Sequence, residues 1–231
     1  MPIKKVDRKL ILFSILFFYG WMSTPFLCHS QVKIKSFHAG LTINGYAGDL
    51  HPRMEMWQMG YQIGASVQHG KNLEGTAVVG SGLFTGQNIL FPREPIPGVF
   101  PSNYFRMRYV MAQYELKYTF LRVKNFVFYG AAGPALLFFQ SHDGMGQPLR
   151  RAAMTRLENE TYSNSSFCLT TGPGIVFILP NDFSVAFHPV YVLPFNDYID
   201  NISRLRNSKN LDQLLQFRLE FHVPVSELKK K

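Results

Sequence analysis

Cysteine is nearly absent from this sequence. The 231 residues include two cysteines, Cys28 and Cys168, and only Cys168 lies beyond residue 30. A chain that keeps one cysteine after its first 30 residues are removed cannot form an intrachain disulfide. The sequence therefore excludes the class of small secreted proteins that a disulfide framework holds together.

Long apolar runs are also absent beyond residue 30, where no segment reaches the roughly 18 consecutive apolar residues of a membrane-spanning helix. Before that point, the apolar run Leu10–Met22 follows a basic start and is followed by the small residue Ser30. These are the parts of a secretory signal, so we expect residues 1–30 to be a cleaved signal peptide. A retained helical anchor and a lipidated Cys28 are the two alternatives.

Acidic residues are few, with 15 Asp and Glu against 24 Lys and Arg, and the formal net charge is +9. The basic residues are scattered along the chain, and the signal predicts export, so we expect no nucleic-acid partner. Attraction to the anionic headgroups of outer-membrane lipid is a simpler explanation of the positive charge.

Aromatic residues are abundant, at 15% of the chain, and many fall in alternating segments. Between Trp57 and Gln68, apolar side chains alternate with small or polar ones without a fault. Successive side chains of a β-strand point to opposite faces, so this segment has one apolar face and one wet face. It is longer than the roughly 9–11 residues with which a tilted strand crosses a bilayer.

Seven other segments are predicted strands, which makes eight in all; the alternation is clear in strands one, four and eight and weaker in strand three. The predicted strands cover residues 36–47, 57–68, 73–85, 105–120, 126–139, 167–179 and 183–195, with a last strand that ends at 223. The fifth strand is apolar almost throughout, so the sequence does not tell which of its side chains face inward.

The connections between these strands alternate in length. Residues 69–72, 121–125 and 180–182 form short connections, whereas 48–56, 87–104, 140–166 and 196–210 form longer ones. Transmembrane barrels alternate short periplasmic turns with longer extracellular loops in this way. We therefore predict an all-β protein: an eight-stranded antiparallel transmembrane β-barrel over residues 31–223, in the bacterial outer membrane. Both termini would lie in the periplasm, where the basic tail 224–231 would project.

The main structural alternative is a soluble lipocalin-like barrel, which would turn its apolar faces inward. The charged residues on the polar faces of strands four and eight argue against it. Four of them, Glu115, Lys117, Arg218 and Glu220, are predicted to form a charged network across the lumen. Pairing reduces the cost of burying such charges, and an eight-stranded interior is just filled by side chains. A diffusion pore is therefore not expected.

Two motifs at the ends of strands one and seven carry a family resemblance, with a weaker match at Arg106–Arg108 leading into Tyr114–Leu116. The residues concerned are Tyr46, Gly48, Asp49, Leu50, Asp197, Tyr198, Asp200 and Ser203. The set resembles a family of small outer-membrane β-barrels from Bacteroidetes. One group of that family is similar to the outer-membrane barrel subunit of the type IX secretion machinery (PorG-like).

This resemblance implies a role in type IX protein secretion, with a periplasmic lipoprotein and its ring-forming companion as partners. The motifs themselves have three interpretations. Gly48–Asp49 is typical of a turn, and Asp197, Asp200 and Asn201 can accept backbone hydrogen bonds in a sharp loop. The same side chains could instead contact a partner or bind Ca²⁺.

Catalytic residues are not evident. Ser184 and His188 lie on one strand, about 13 Å apart at ~3.3 Å per residue, and cannot touch. His142–Asp143 precedes a glycine-rich turn, and no nucleophile motif of the Gly-x-Ser-x-Gly type occurs. His38 and His222 are expected to be neighbours, in a lumen hydrogen bond or a metal site. We therefore predict a non-enzymatic barrel without a cofactor, with an outer-membrane enzyme or a soluble carrier as alternatives.

Overall fold

The computed structural model describes residues 34–48, 54–87, 104–151, 162–195, 199 and 212–228. The predicted signal peptide, residues 1–30, lies outside these ranges. Within them, no helix is both long and apolar enough to cross a membrane.

Eight antiparallel strands close into a barrel in which each strand pairs with its neighbours in sequence. They are β1 (Ile34–Ala47), β2 (Trp57–Gln68), β3 (Leu73–Gln87), β4 (Tyr104–Val123), β5 (Phe126–Asp143), β6 (Ser165–Ile178), β7 (Ser184–Pro194) and β8 (Gln213–Pro224). The barrel closes where β8 pairs with β1, for example at Leu41 and Leu219. The predicted all-β architecture and the number of strands are confirmed.

The apolar faces of the strands point outward. On β2, Met59, Tyr61 and Ile63 expose 65%, 64% and 63% of their surface, whereas Gln62 between them exposes 3%. A soluble barrel would show the reverse arrangement, because its apolar side chains would fill the interior. The lipocalin-like alternative is therefore wrong, and the outer wall is a surface for lipid.

The two ends of the barrel differ in their connections. Three connections are short: residues 69–72, the two-residue turn Lys124–Asn125 and residues 179–183. Lys124 adopts the left-handed conformation, with φ 50°, which makes this tight reversal possible. We call this end the short-turn end and the opposite end, where the longer connections begin, the long-loop end. Ile34 and the one-turn helix α1 (Val225–Leu228) lie at the short-turn end.

Several strand boundaries differ from those predicted, and two of the differences change the short-turn end. The β4–β5 hairpin extends to Val123, three residues further than expected, because pairing resumes at Leu121 and Phe128 after a bulge. Strand β8 includes Pro224, which pairs with Ser36, and helix α1 follows it directly. The predicted tail thus starts within the barrel wall.

The structure also settles which side chains of β5 face inward. Its odd-numbered residues from Val127 to Ser141 face the interior, and Leu136 and Phe138 face lipid. Beside Pro134, β4 and β5 approach closely: a Cβ added to Gly133 would lie 1.9 Å from the Tyr114 carbonyl oxygen. Only glycine fits there, since any side chain would force the two backbones apart.

Candidate functional site in the barrel interior

The half of the interior nearer the short turns is filled by polar and charged side chains, which we call the polar layer. Its members are His38, Gln62, Gln113, Glu115, Lys117, Tyr129, His188, Gln216, Arg218, Glu220 and His222. They come from six of the eight strands, and each occupies an inward-facing position. All four residues of the predicted lumen network are among them.

Arg218 is the best-connected member of the polar layer and has no exposed surface. Its Nη1 lies 3.0 Å from Glu115 Oε1, and its Nη2 donates to Gln113 Oε1 at 2.9 Å and Gln216 Oε1 at 2.8 Å. Strands β4 and β8 lie on opposite sides of an eight-stranded ring, so these contacts cross the lumen. Charge-assisted bonds of this kind offset much of the cost of burial.

Glu220 organises the second part of the polar layer, one step closer to the short-turn end. It lies 3.8 Å from Lys117 Nζ, which belongs to the opposite wall. Gln62 Nε2 donates to Glu220 Oε1 at 2.6 Å, and His222 Nε2 lies 3.0 Å from Glu220 Oε2. The Lys117 ammonium also lies 5.3 Å from the centre of the Tyr129 ring. Each buried charge of this group therefore faces an opposite charge or a polar partner.

His38 and His222 are direct cross-strand neighbours, as expected from the closure of the barrel. Their rings stack with centroids 4.7 Å apart. The lumen hydrogen bond of His222 goes to Glu220 rather than to His38. Among the described residues, no group of three or more His, Cys, Asp or Glu side chains is arranged to hold a metal ion.

The half of the interior nearer the long loops is apolar, which we did not predict. This apolar layer contains Tyr46, Phe84, Phe105, Met107, Tyr109, Met111, Ala135, Leu137, Phe139, Leu149, Cys168, Val190, Val192, Ile199 and Leu214. Leu149 and Ile199 come from the connections outside the strands, so the layer continues into the loops. The signal that could have revealed it is the first half of β4, where Phe105, Met107, Tyr109 and Met111 continue the face that carries Gln113.

Three described residues of the two main family motifs belong to this apolar layer or its edge. Tyr46 donates through its hydroxyl to Asp212 Oδ1 at 2.7 Å, a buried contact. A Cβ on Gly48 would lie 2.0 Å from the same hydroxyl, so a larger residue would displace the tyrosine. Ile199 is fully buried, and its carbonyl accepts a hydrogen bond from Ser141 Oγ at 2.7 Å. These contacts give Tyr46 and Gly48 a structural role.

The remaining motif residues lie outside the described residues. They are Asp49, Leu50, Asp197, Tyr198, Asp200 and Ser203. Their three interpretations, as turn formers, partner contacts or calcium ligands, stay predictions.

A cavity of about 350 Å³ opens at the short-turn end, and we call it the vestibule. Lys117, Tyr129 and His222 of the polar layer line it on the inner side. Lys35 and Glu74 also line it, and they form an ion pair in which Nζ lies 2.5 Å from Oε2. The vestibule is thus a polar recess that ends on the charged interior.

The structure separates the catalytic candidates considered above. His188 lies in the polar layer, 3.9 Å from Glu115 Oε2, whereas Ser184 lines the vestibule. The cross-strand partner of Ser184 is His222, a proximity that same-strand reasoning missed. Ser184 Oγ makes no hydrogen bond to His222 within the described part of the chain. Asp143 forms a turn, since its Oδ1 accepts the amide hydrogens of Met145 and Gln147.

These features define a class of protein. A closed eight-stranded barrel with an apolar wall and a charged, side-chain-filled interior is a transmembrane β-barrel of the outer-membrane type. The side chains of the two layers occupy the lumen from the vestibule to the long-loop end.

Comparison with solved structures supports the same fold. The chain is similar to Neisserial surface protein A (NspA), with a TM-score of 0.51, 12% sequence identity and coverage of 81% of this chain and 95% of that one. The attachment invasion locus protein Ail of Yersinia pestis matches with the same coverage, 11% identity and a TM-score of 0.46. The fold argument rests on NspA, and at this identity the likeness concerns the fold alone.

No protein-family model matches the sequence, and no curated protein matches it significantly. The Bacteroidetes family and its link to type IX secretion are therefore still predictions based on the motifs.

Proposed function

We propose that this protein is a non-enzymatic barrel of the bacterial outer membrane that anchors or organises an envelope assembly through its short-turn end. Type IX protein secretion is the pathway that the motif resemblance implies. On this proposal the chain is exported by its signal peptide, and the short-turn end faces the periplasm.

The observation that carries the proposal is the filled lumen. Arg218 and Glu115, from opposite walls, lie 3.0 Å apart, and the apolar layer fills the interior between them and the long-loop end. A barrel without an open lumen has no route for solutes, so its function must lie at its surfaces. This arrangement supports a role as an anchor over a role as a channel.

The short-turn end offers the surface for such a partner. It carries the vestibule, helix α1 and the protruding tip of the β4–β5 hairpin. At that tip Phe120, Leu121 and Val123 expose 62%, 47% and 47% of their surface beside the basic residue Lys124. A projecting hairpin with exposed apolar and basic side chains is suited to contact a periplasmic protein.

Site-specific photo-crosslinking tests the proposal in cells. A photo-reactive amino acid replaces Lys124 in the short turn or, as the matched control, Met145, which is 90% exposed at the long-loop end. We expect adducts from position 124 that contain a periplasmic lipoprotein or its companion, and no such adducts from position 145. Adducts from 145 alone, or none from 124, would contradict the proposal.

The pathway has its own test. Deleting the gene should impair the export of type IX cargo in the source bacterium, and expression of the full chain should restore it. Normal cargo export in the deletion strain would remove type IX secretion from the proposal while leaving the anchoring role to the crosslinking result.

A second candidate function is hydrolysis at the vestibule. The alignment of Ser184, His222 and Glu220 favours it, because Ser184 and His222 pair across strands and His222 contacts the carboxylate. A nucleophile, a base and an orienting acid are the parts that such chemistry needs.

A fluorophosphonate probe decides between the two functions. Under the anchoring proposal it labels neither the wild type nor Ser184→Ala, whereas labelling that disappears in Ser184→Ala would establish the enzyme.

A further inference from the structure

Two arginines stand on the outer wall of the barrel near the long-loop end. Arg106 and Arg108 are both exposed and lie on the lipid-facing side of β4. Residues two apart on a strand point the same way, roughly 7 Å apart, so the two guanidinium groups can act on one ligand. Among the described residues, no carboxylate forms an ion pair with either of them.

The neighbouring strand adds polar groups in register with them. His142 pairs with Arg106, and Gln140 pairs with Arg108. Arg106, Arg108 and His142 line a cavity of about 430 Å³ together with the turn that follows β5. The carboxylate in this lining, Asp143, is engaged in the turn, because its Oδ1 accepts two amide hydrogens at 2.9 and 2.7 Å. The recess therefore presents mainly positive charge and hydrogen-bond donors.

The position of this recess on the wall indicates what it would bind. The next pair along the two strands, Val110 and Phe138, is lipid-facing, with 47% and 52% of its surface exposed. The arginines thus begin where the apolar belt ends, at the depth of the lipid headgroups. Guanidinium groups match phosphate oxygens in geometry as well as charge.

We propose that Arg106, Arg108 and His142 form a binding site for the phosphate group of an anionic membrane lipid, whose acyl chains lie along Val110 and Phe138. The site rests on the proposed insertion in the membrane but not on any periplasmic partner. A soluble anion would gain the charge contacts alone, whereas a lipid also gains the apolar wall. This second contact is the reason to assign the site to a lipid headgroup.

Native mass spectrometry of the full chain in detergent tests the site, with phosphatidic acid as the probe and phosphatidylcholine as the zwitterionic control. The double variant Arg106→Gln/Arg108→Gln should bind phosphatidic acid about tenfold or more weakly than the wild type, because both guanidinium contacts with the phosphate are lost. The matched control is Arg122→Gln/Lys124→Gln, which removes the same charge from the short-turn end and should leave the affinity unchanged.

Three results would overturn the proposal. These are equal weakening in both double variants, no weakening in Arg106→Gln/Arg108→Gln, and displacement of the lipid by equimolar inorganic phosphate. The charge-preserving variant Arg106→Lys/Arg108→Lys should lose part of the affinity, because lysine lacks the planar fork. A heat-modifiable band shows that each variant is folded; if the double glutamine variant lacks it, Arg108→Gln alone is measured. Failure of the crosslinking experiment leaves these affinities unaffected, so the two proposals fail separately.

Discussion

The two layers of the barrel interior solve the same packing problem with opposite chemistry. Near the short turns, Glu115 and Arg218 fill the lumen as a hydrogen-bonded ion pair, whereas near the long loops Phe105 and Leu137 fill it as an ordinary apolar core. Strand β4 contributes side chains to both layers. Its inward-facing residues are apolar up to Met111 and polar from Gln113 to Lys117. The apolar outer wall of the barrel is covered by lipid. The interior therefore does not have to be apolar throughout, and it can contain either kind of side chain.

The comparison also indicates how each layer is stabilised. In the polar layer, stability depends on a few partners, since an unpaired buried charge costs several kcal/mol. In the apolar layer it is spread over many contacts, and removing one side chain costs its transfer energy and a cavity. Tyr109 joins the two layers, because its ring packs with Phe84 while its hydroxyl accepts a hydrogen bond from Gln216.

The largest effect is expected in the polar layer, for Arg218→Met. This change leaves Glu115 Oε1 and two glutamine oxygens without their donor, and should lower the free energy of unfolding by about 3–5 kcal/mol. Denaturant unfolding in detergent measures it. The double variant Arg218→Met/Glu115→Met should recover part of the loss, because the buried charge is then gone. A single variant as stable as the wild type would show that the charge pair is not essential.

In the apolar layer, Leu137→Ala should lower the free energy of unfolding by about 2–4 kcal/mol, through lost burial and a cavity. The matched control is Leu136→Ala on the adjacent, lipid-facing position, where about 0.5 kcal/mol or less is expected. The same unfolding experiment compares them. Equal losses at the two positions would contradict the assignment of side chains to the inner and outer faces of β5.

The third prediction concerns the Tyr46 hydroxyl, which makes a buried hydrogen bond at the edge of the apolar layer. Tyr46→Phe removes the donor to Asp212 and should cost about 1–3 kcal/mol, because the contact is buried. Tyr61→Phe, on a ring that is 64% exposed on the outer wall, should leave the unfolding midpoint unchanged. If both tyrosines tolerate the change equally, the Tyr46 hydroxyl has no stabilising role at the start of the first motif.

The smallest effect is expected at the rim of the vestibule. Lys35→Gln breaks the ion pair with Glu74 and should cost at most about 1 kcal/mol, since the lysine is half-exposed and solvent screens the pair. The difference between variant and wild type should shrink as salt is raised. A loss as large as that of Arg218→Met, or one insensitive to salt, would place this pair energetically with the polar layer.

Much of the architecture could be predicted from local patterns. The period of two assigned the faces of β1, β2, β4 and β8, and those faces agree with the observed exposure of Leu41, Tyr61, Leu116 and Leu219. It failed for β5, because nearly every residue there is apolar and both faces look alike. The length of β4 was also underestimated, since a bulge between Thr119 and Leu121 interrupts the alternation before pairing resumes.

The candidate sites were less predictable. The charged residues on the polar faces of β4 and β8 predicted which side chains form the lumen network. They did not predict which of those side chains contact one another. Ser184 was compared with His188 on its own strand, whereas its neighbour in the barrel is His222. The cluster of Arg106, Arg108 and His142 was equally hidden, because it depends on the register between β4 and β5.

The sequence by itself determined which residues of β1, β2, β4 and β8 share a face, because side-chain alternation is a local property of the chain. Only the tertiary structure decided which inward-facing side chains contact one another across the lumen. Glu115 and Arg218 are 103 residues apart in sequence, and no local pattern relates them. Closure of the ring brings their strands to opposite sides, and the lumen is narrow enough for the two side chains to meet.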